Sequence, residues 1–205
     1  MAVLLLRHGE TALNAARVMQ PADTPLSERG EAQARAVAQR LARRGGIVAI
    51  VSSDLPRAWL TAQAVAAALA LPIRPSALLQ ERNFGSLRGQ PYDALGFDPL
   101  ALPEAPPGGE SQAAFVQRVR QAFDDLLQQH QALDGDLLVV THGLLIRTLL
   151  AGPLTFGAAA LGDLHLANTS LSIFDAAPPH ALQLLNCTRH LDPAERDDAQ
   201  GLSGG

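Results

Sequence analysis

No lysine occurs among the 205 residues, so all 16 positions counted as Lys plus Arg are arginine. That absence excludes a Schiff-base lysine, a P-loop lysine and a catalytic ammonium. Positive charge at any site has to come from guanidinium groups, which stay charged and grip phosphates or carboxylates through two parallel hydrogen bonds. Coding bias also produces an alanine-, leucine- and arginine-rich chain, so the composition alone assigns no function. Aromatics are scarce at 4% and the net charge is -4, which argues against a basic nucleic-acid surface and against a base-stacking platform. A single cysteine, Cys187, can form neither an internal disulfide nor a paired metal or redox site, which suits a reducing compartment. No apolar stretch approaches a membrane span, and Met1 to Arg7 lacks the charged region and cleavage site of a signal peptide. The expectation is a soluble cytoplasmic protein that contacts neither nucleic acid nor membrane; the few aromatics say nothing of its oligomeric state.

What is present is an alternation of apolar runs and helical periodicities. Ala2 to Leu6 reads as a buried strand. Ser27 is a candidate N-cap for a helix carrying Ala32, Ala36, Val37 and Leu41 until Gly45-Gly46, with Glu31 and Arg35 paired on its wet face. Ile47 to Val51 predicts a second strand, and Pro56 opens a helix to about Ala70. Pro72 to Pro75 reads as a short strand, and Leu78 to about Gly109 as a long irregular stretch of the kind that carries function. Ser111 to about His130 is helical, Asp136 to Val140 a further apolar strand, and Leu144 to Ala151 another helix. Leu164 to Asp175 and Leu182 to Leu185 read as closing strands. The pattern predicts one α/β domain over residues 1–191, a three-layer α/β/α sandwich with a mostly parallel central sheet and helices on both faces, and a frayed tail at 192–205.

In such sheets ligands bind beyond the carboxyl ends of the strands. The first strand ends in Arg7-His8-Gly9-Glu10-Thr11, the second in Ser52-Ser53-Asp54 with Arg57 one turn on, and the third long one in Thr141-His142-Gly143. A single histidine after a strand is usually a hydrogen-bonded bystander, and Arg57 alone would be a solvated helix face. Two histidines and two arginines converging on one edge point instead to phosphorus chemistry.

Arg7-His8-Gly9-Glu10-Thr11 resembles the signature of the histidine phosphatase superfamily, also called phosphoglycerate-mutase-like, and the matches continue in order. They include Asn14, Gln20, Thr24-Pro25-Leu26-Ser27, Ser52-Ser53-Asp54-Leu55, Arg57-Ala58, Thr61-Ala62, Leu79, Glu81, Phe84-Gly85, Pro107 to Ser111, Thr141-His142-Gly143, Asn168-Thr169-Ser170, Asn186 and His190-Leu191. The resemblance implies that His8 attacks phosphorus and carries it as phosphohistidine. It implies that Arg7, Arg57 and His142, the last charged or donating a hydrogen bond, hold the phosphoryl oxygens with Asn14 and Gln20. Glu81 is the expected general acid and base. Glu10 and Glu110 are expected to be structural, and no metal or cofactor is expected, because arginines take the place of a divalent ion. His130, His165 and His180 are read as structural or exposed, Cys187 as a core thiol, and Arg35, Arg40 and Arg118 as helix-face residues.

The chain departs from the family pattern at Leu13, at Pro21 and at Leu87-Arg88-Gly89, where members often carry Trp-Glu-Gly. Arg88 either favours a second anionic group on the substrate or forms a surface salt bridge. His142-Gly143-Leu144 in place of the mutases' His-Gly-Asn, the absence of a lysine-rich insertion and the short stretch Gly89 to Pro107 favour the phosphatase branch. The expectation is a phosphomonoesterase acting on small phosphorylated metabolites. The alternatives are a cofactor-dependent phosphoglycerate mutase and a catalytically silent phospho-ligand-binding member.

Overall fold

The computed structural model of the chain describes residues 1–154 and 164–192. Its centre is β1 (Ala2–Arg7), whose six residues are all buried, as a strand covered on both faces requires. With β2 (Ile47–Ser52), β3 (Ile73–Pro75), β4 (Asp136–Thr141), β5 (Leu171–Asp175) and β6 (Leu182–Cys187) it forms a six-stranded sheet in the order β3-β2-β4-β1-β5-β6. The pairs β1–β4, β2–β4 and β2–β3 are parallel, whereas β5 and β6 close the sheet antiparallel.

Successive residues of β1 point to opposite faces, and the core divides accordingly. Val3 and Leu5 pack with α4 (Gln112–Gln131) and α5 (Gly143–Ala151) through Phe115, Val119, Leu145 and Leu149. Leu4 and Leu6 pack with α2 (Glu28–Arg44) and α3 (Pro56–Leu69) through Val37, Leu41, Ala58 and Val65. The α/β/α layering therefore follows from the alternation within one strand. No helix among the described residues is long and apolar enough to cross a membrane.

The helix ends are where their caps put them. Ser27 and Ser111 accept the N–H groups of Gly30 and Ala114, and Pro56 opens α3. Three expectations are revised. A short helix α1 (Ala12–Ala15) follows the first strand, closed by a capping box between Thr11 and Asn14. The run from Leu164 is not one strand: it enters the sheet only at Leu171, because Thr169 takes a left-handed conformation (φ 54°) in a turn ahead of it. The irregular stretch holds 3₁₀ turns at Gly85–Leu87, Tyr92–Ala94 and Pro99–Ala101. Apart from Asp192, the expected tail at 192–205 lies outside the described residues.

Candidate active site

The carboxyl ends of β1, β2 and β4 lie side by side, which brings three chain segments to one place. The Ser53 N–H donates to the Val140 carbonyl (2.9 Å) and the His8 N–H to the Thr141 carbonyl (3.0 Å). The loop after β1 is pinned from two helices: Gly9 N–H donates to Thr61 Oγ1 (3.0 Å) and Glu10 N–H to Gln33 Oε1 (2.9 Å). Close packing requires glycine here, since a Cβ on Gly30 would lie 2.0 Å from the Glu10 carbonyl oxygen and one on Gly9 would lie 2.5 Å from that of Gly30.

His8 and His142 are wholly buried, with ring centroids 5.2 Å apart. Nδ1 of His8 is 2.7 Å from the Gly9 carbonyl oxygen. A carbonyl can only accept, so Nδ1 bears the proton and Nε2 keeps its lone pair, the form a nucleophile needs. The backbone carbonyl of His8 is itself held, by the Asn168 side-chain amide (2.9 Å) and the Thr169 N–H (3.2 Å). This hold continues outward. Arg40 donates to Nδ1 of His190 (3.2 Å), which leaves His190 Nε2 to donate to Thr169 Oγ1 (3.0 Å), whose hydroxyl donates to the Asn168 carbonyl (2.8 Å).

Burial, with further depression from Arg57, His8 and Arg7, holds the His142 pKa well below the usual 6.5. Of the two states expected for His142, this depression favours the neutral ring over the charged one. The Ser53 hydroxyl lies 2.8 Å from Nε2 and already accepts the Leu55 N–H (3.3 Å), so it is placed to donate. With Nδ1 buried and without a hydrogen-bond partner among the described residues, a ring proton on that atom would be open to a ligand.

Arg7 and Arg57 are almost fully buried. Arg7 donates to the Leu166 carbonyl. Among the described residues Arg57 hydrogen-bonds to the Pro21 carbonyl (3.4 Å), and its Nε has no partner there. Desolvation, opposed by Glu81 and reinforced by Arg88 and Arg7, pushes the Arg57 pKa down to about 10, which leaves it cationic at neutral pH. Gln20 accepts the Thr11 hydroxyl at Oε1 (2.7 Å), and its buried Nε2 is an unused donor. Asn14 is less available: its Oδ1 takes the Thr11 N–H (3.3 Å) within the capping box and faces Asn168 at 3.5 Å.

Glu81 is the buried carboxylate of the cluster. Burial raises its pKa despite the N–H groups of Arg82 (3.0 Å) and Leu144 (3.0 Å) on its two oxygens and the charges of Arg57 and Arg7 nearby. The competing acids are engaged elsewhere, as expected. Glu10 accepts the Ser27 hydroxyl (2.9 Å) and pairs with Arg29 (3.1 Å), and Glu110 receives Arg118 through two bonds (2.9 and 2.7 Å).

Several residues were misread from sequence. Arg118 is not a helix-face residue: its guanidinium also donates to the carbonyls of Leu78 (2.9 Å) and Gln80 (2.7 Å), fixing the segment that presents Glu81. Arg40 likewise turns inward to His190 and to the Cys187 carbonyl (3.3 Å). Cys187 is half-buried rather than a core thiol, with Arg40 donating to its Sγ (3.3 Å). Arg35 does lie on the wet face, 3.7 Å from Glu31. Two participants were missed. Arg82, 1% exposed, ties the irregular stretch together by donating to the carbonyls of Glu110 (3.1 Å), Leu102 (2.7 Å) and Glu104 (3.3 Å). Tyr92 buries a hydroxyl that has no hydrogen-bond partner among the described residues, and burial, with Glu81 nearby, raises its pKa and keeps it protonated. The Thr11-x-x-Asn14 spacing could have signalled α1, but nothing local marks Arg82 or Tyr92.

Comparison with known proteins places this arrangement. The model of the histidine phosphatase superfamily (branch 1) matches residues 3–188. A bifunctional protein of Mycobacterium tuberculosis is 39% identical over 92% of this chain but 54% of its own length, so the chain spans about half of that relative. A probable phosphoglycerate mutase GpmB of Yersinia pestis is 36% identical over 97% of this chain and 98% of its own. Among solved structures, a mycobacterial glucosyl-3-phosphoglycerate phosphatase superposes with a TM-score of 0.77 at 31% identity, covering 91% of this chain and 99% of that one. A phosphoserine phosphatase from Entamoeba histolytica does so with a TM-score of 0.77 at 29% identity, over 93% and 98%. From the strand that delivers His8 to the carboxylate that faces the arginines, this chain belongs to branch 1 of the histidine phosphatase superfamily.

Proposed function

We propose that the chain is a metal-independent phosphomonoesterase that hydrolyses small phosphorylated metabolites in the cytoplasm through a phosphohistidine on His8, within a catalytic domain over residues 1–191. One observation carries this reading: His8, fixed by the Gly9 carbonyl with its lone pair on Nε2, shares a buried site with two guanidiniums and a carboxyl group of raised pKa.

The chemistry follows from those roles. Arg7 and Arg57, with Gln20 Nε2 and His142 Nδ1 as neutral donors, hold the equatorial oxygens, and Asn14 offers its amide at the margin. Nε2 attacks in line as the ester P–O bond breaks, and Glu81 gives its proton to the leaving alkoxide. The resulting carboxylate then takes a proton from the water that displaces His8, which returns phosphate and restores both groups. Glucosyl-3-phosphoglycerate phosphatase and phosphoserine phosphatase among the similar structures support this direction.

The reading is tested with p-nitrophenyl phosphate. The parent should release phosphate and form an acid-labile phosphoenzyme, and His8→Ala should lose both, with a rate loss of at least a hundredfold. Equal rates in parent and variant would remove His8 as nucleophile. A mutase remains the second reading because of the Yersinia relative. Interconversion of 2- and 3-phosphoglycerate, primed with the bisphosphate and faster than phosphate release, would establish it instead. A silent phospho-ligand-binding member would bind phosphate esters without turning them over.

A further inference from the structure

Two arginines of this region differ in kind. Arg88 forms no ion pair with any described residue, so the surface salt bridge that sequence alone allowed is not made. Arg118, by contrast, is engaged at all three guanidinium nitrogens. Nε and Nη2 meet the two oxygens of Glu110 side by side (2.9 and 2.7 Å), which fixes the plane of the guanidinium. Nη1 donates to the carbonyls of Leu78 (2.9 Å) and Gln80 (2.7 Å), and Nη2 to that of Glu81 itself (3.4 Å). The Leu79 carbonyl accepts the Thr141 hydroxyl instead (2.8 Å), so the segment is tied both to α4 and to the end of β4. Glu110 holds the other side of Glu81: its carboxylate accepts the Asn83 N–H (3.4 Å), and its own N–H donates to the Asn83 carbonyl (2.7 Å).

The hold reaches the carboxyl group through one peptide unit. The bond between Glu81 and Arg82 is planar and trans, so its C=O and N–H point in opposite directions. Drawing the Glu81 carbonyl toward Arg118 therefore aims the Arg82 N–H the other way, and that N–H donates to Glu81 Oε1 (3.0 Å). The Leu144 N–H holds Oε2 (3.0 Å). Rotation of this single peptide plane would free Oε1 and leave the carboxyl group on Leu144 alone. A displacement of about 1 Å at a reacting group can cost roughly a hundredfold in rate.

We infer that Arg118 and Glu110 are positioning residues that act on the reaction through Glu81, so that losing either one weakens protonation of the leaving group in particular. This rests on the phosphomonoesterase reading. The probes are benzyl phosphate, whose alkoxide needs a proton to leave, and p-nitrophenyl phosphate, of similar shape, whose phenolate needs little help. Arg118→Ala should lose at least about tenfold more kcat on benzyl phosphate than on p-nitrophenyl phosphate, with KM close to that of the parent. Glu110→Gln, which keeps an acceptor for Arg118, should show the same bias at about threefold and serves if Arg118→Ala does not fold. In a Glu81→Gln background either change should leave the ratio of the two rates unaltered, because the group it positions is already gone.

Equal losses on both esters would make the pair a structural support only and overturn the inference, as would a further fall in the ratio on top of Glu81→Gln. If the parent hydrolyses neither ester, the phosphomonoesterase reading falls on its own. Amide hydrogen exchange then reads the hold directly: the Arg82 N–H should exchange at least about tenfold faster in Arg118→Ala or Glu110→Gln than in the parent. Unchanged exchange at Arg82 would overturn the inference whether or not an ester is turned over.

Discussion

Glu81 holds its proton more tightly than a solvated glutamate although two backbone N–H groups and two arginine charges oppose this, so desolvation is the larger effect at that position. The consequence for catalysis has a definite sign. In the proposed mechanism the first step uses the protonated carboxyl group, so the phosphoryl-transfer rate should fall as pH rises through the raised pKa. Glu81→Gln should lose about a hundred- to ten-thousandfold in kcat on alkyl phosphates and less on p-nitrophenyl phosphate, whose leaving group needs little help. The alkaline limb of the kcat profile should disappear with it, and a limb that persists in the variant would assign the titration elsewhere. That His8, Arg7, Arg57, His142 and Glu81 would lie together was legible because each follows a strand or stands in a recognisable string. Arg118 and Arg40 were not, because helical spacing says which face a side chain leaves from but not how far a long guanidinium reaches. Arg82 was invisible for a related reason: its partners are the carbonyls of Glu110, Leu102 and Glu104, and no sequence pattern announces a side chain bonded to distant backbone.

At the scale of elements, the decisive contact is main chain against main chain where α2 begins. The start of α2 lies against the loop after β1, and neither partner there is a flexible side chain. Gly30→Ala, with its Cβ 2.0 Å from the Glu10 carbonyl oxygen, must displace one of the two. The expected cost is about 2–3 kcal/mol, roughly 5–10 °C in Tm for a domain of this size, and phosphatase activity should fall further than stability because His8 moves with the loop. A thermal melt and an activity assay on the same sample check both, and an unchanged Tm would refute the packing account. The helices bounded by serine caps and glycines were readable within a residue or two because those signals are local. The antiparallel β5–β6 pair was not, since strand direction is set by how far the chain travels between strands rather than by the composition of either one. The turn before β5 escaped notice because Thr169 is not a residue that advertises positive φ.

For the whole molecule, acid is the vulnerable side. Burial and the nearby Arg40 push the His190 pKa down to about 4, and His142 is depressed in the same direction. The unfolded chain takes up protons at these rings near 6.5, so below that pH it binds more protons than the folded chain does. Stability from the neutral rings is present above about pH 6.5 and is lost as pH falls through the window down to the folded values. Urea midpoints should therefore decline from pH 7.5 to pH 5, and His190→Gln, which can still accept from Arg40 and donate to Thr169, should make the decline shallower. Midpoints that stay level across this range would contradict the assignment. That the layers would be α/β/α was legible from alternating runs alone; that hydrogen bonds would run from Arg40 through His190 and Thr169 to the His8 carbonyl was not, because these residues lie far apart in the chain.

The position of β1 in the sheet has one more consequence. It pairs with β4 on one side and β5 on the other, and it is buried throughout, so it belongs to the part of a domain that opens last. The stretch that bears Arg88 and Tyr92 lies outside the sheet and is tied to the segment before Gln20 by backbone hydrogen bonds at Gly89, Gln90 and Tyr92. Local opening of that segment therefore leaves the strand that delivers His8 closed, because the two do not share a hydrogen-bond ladder.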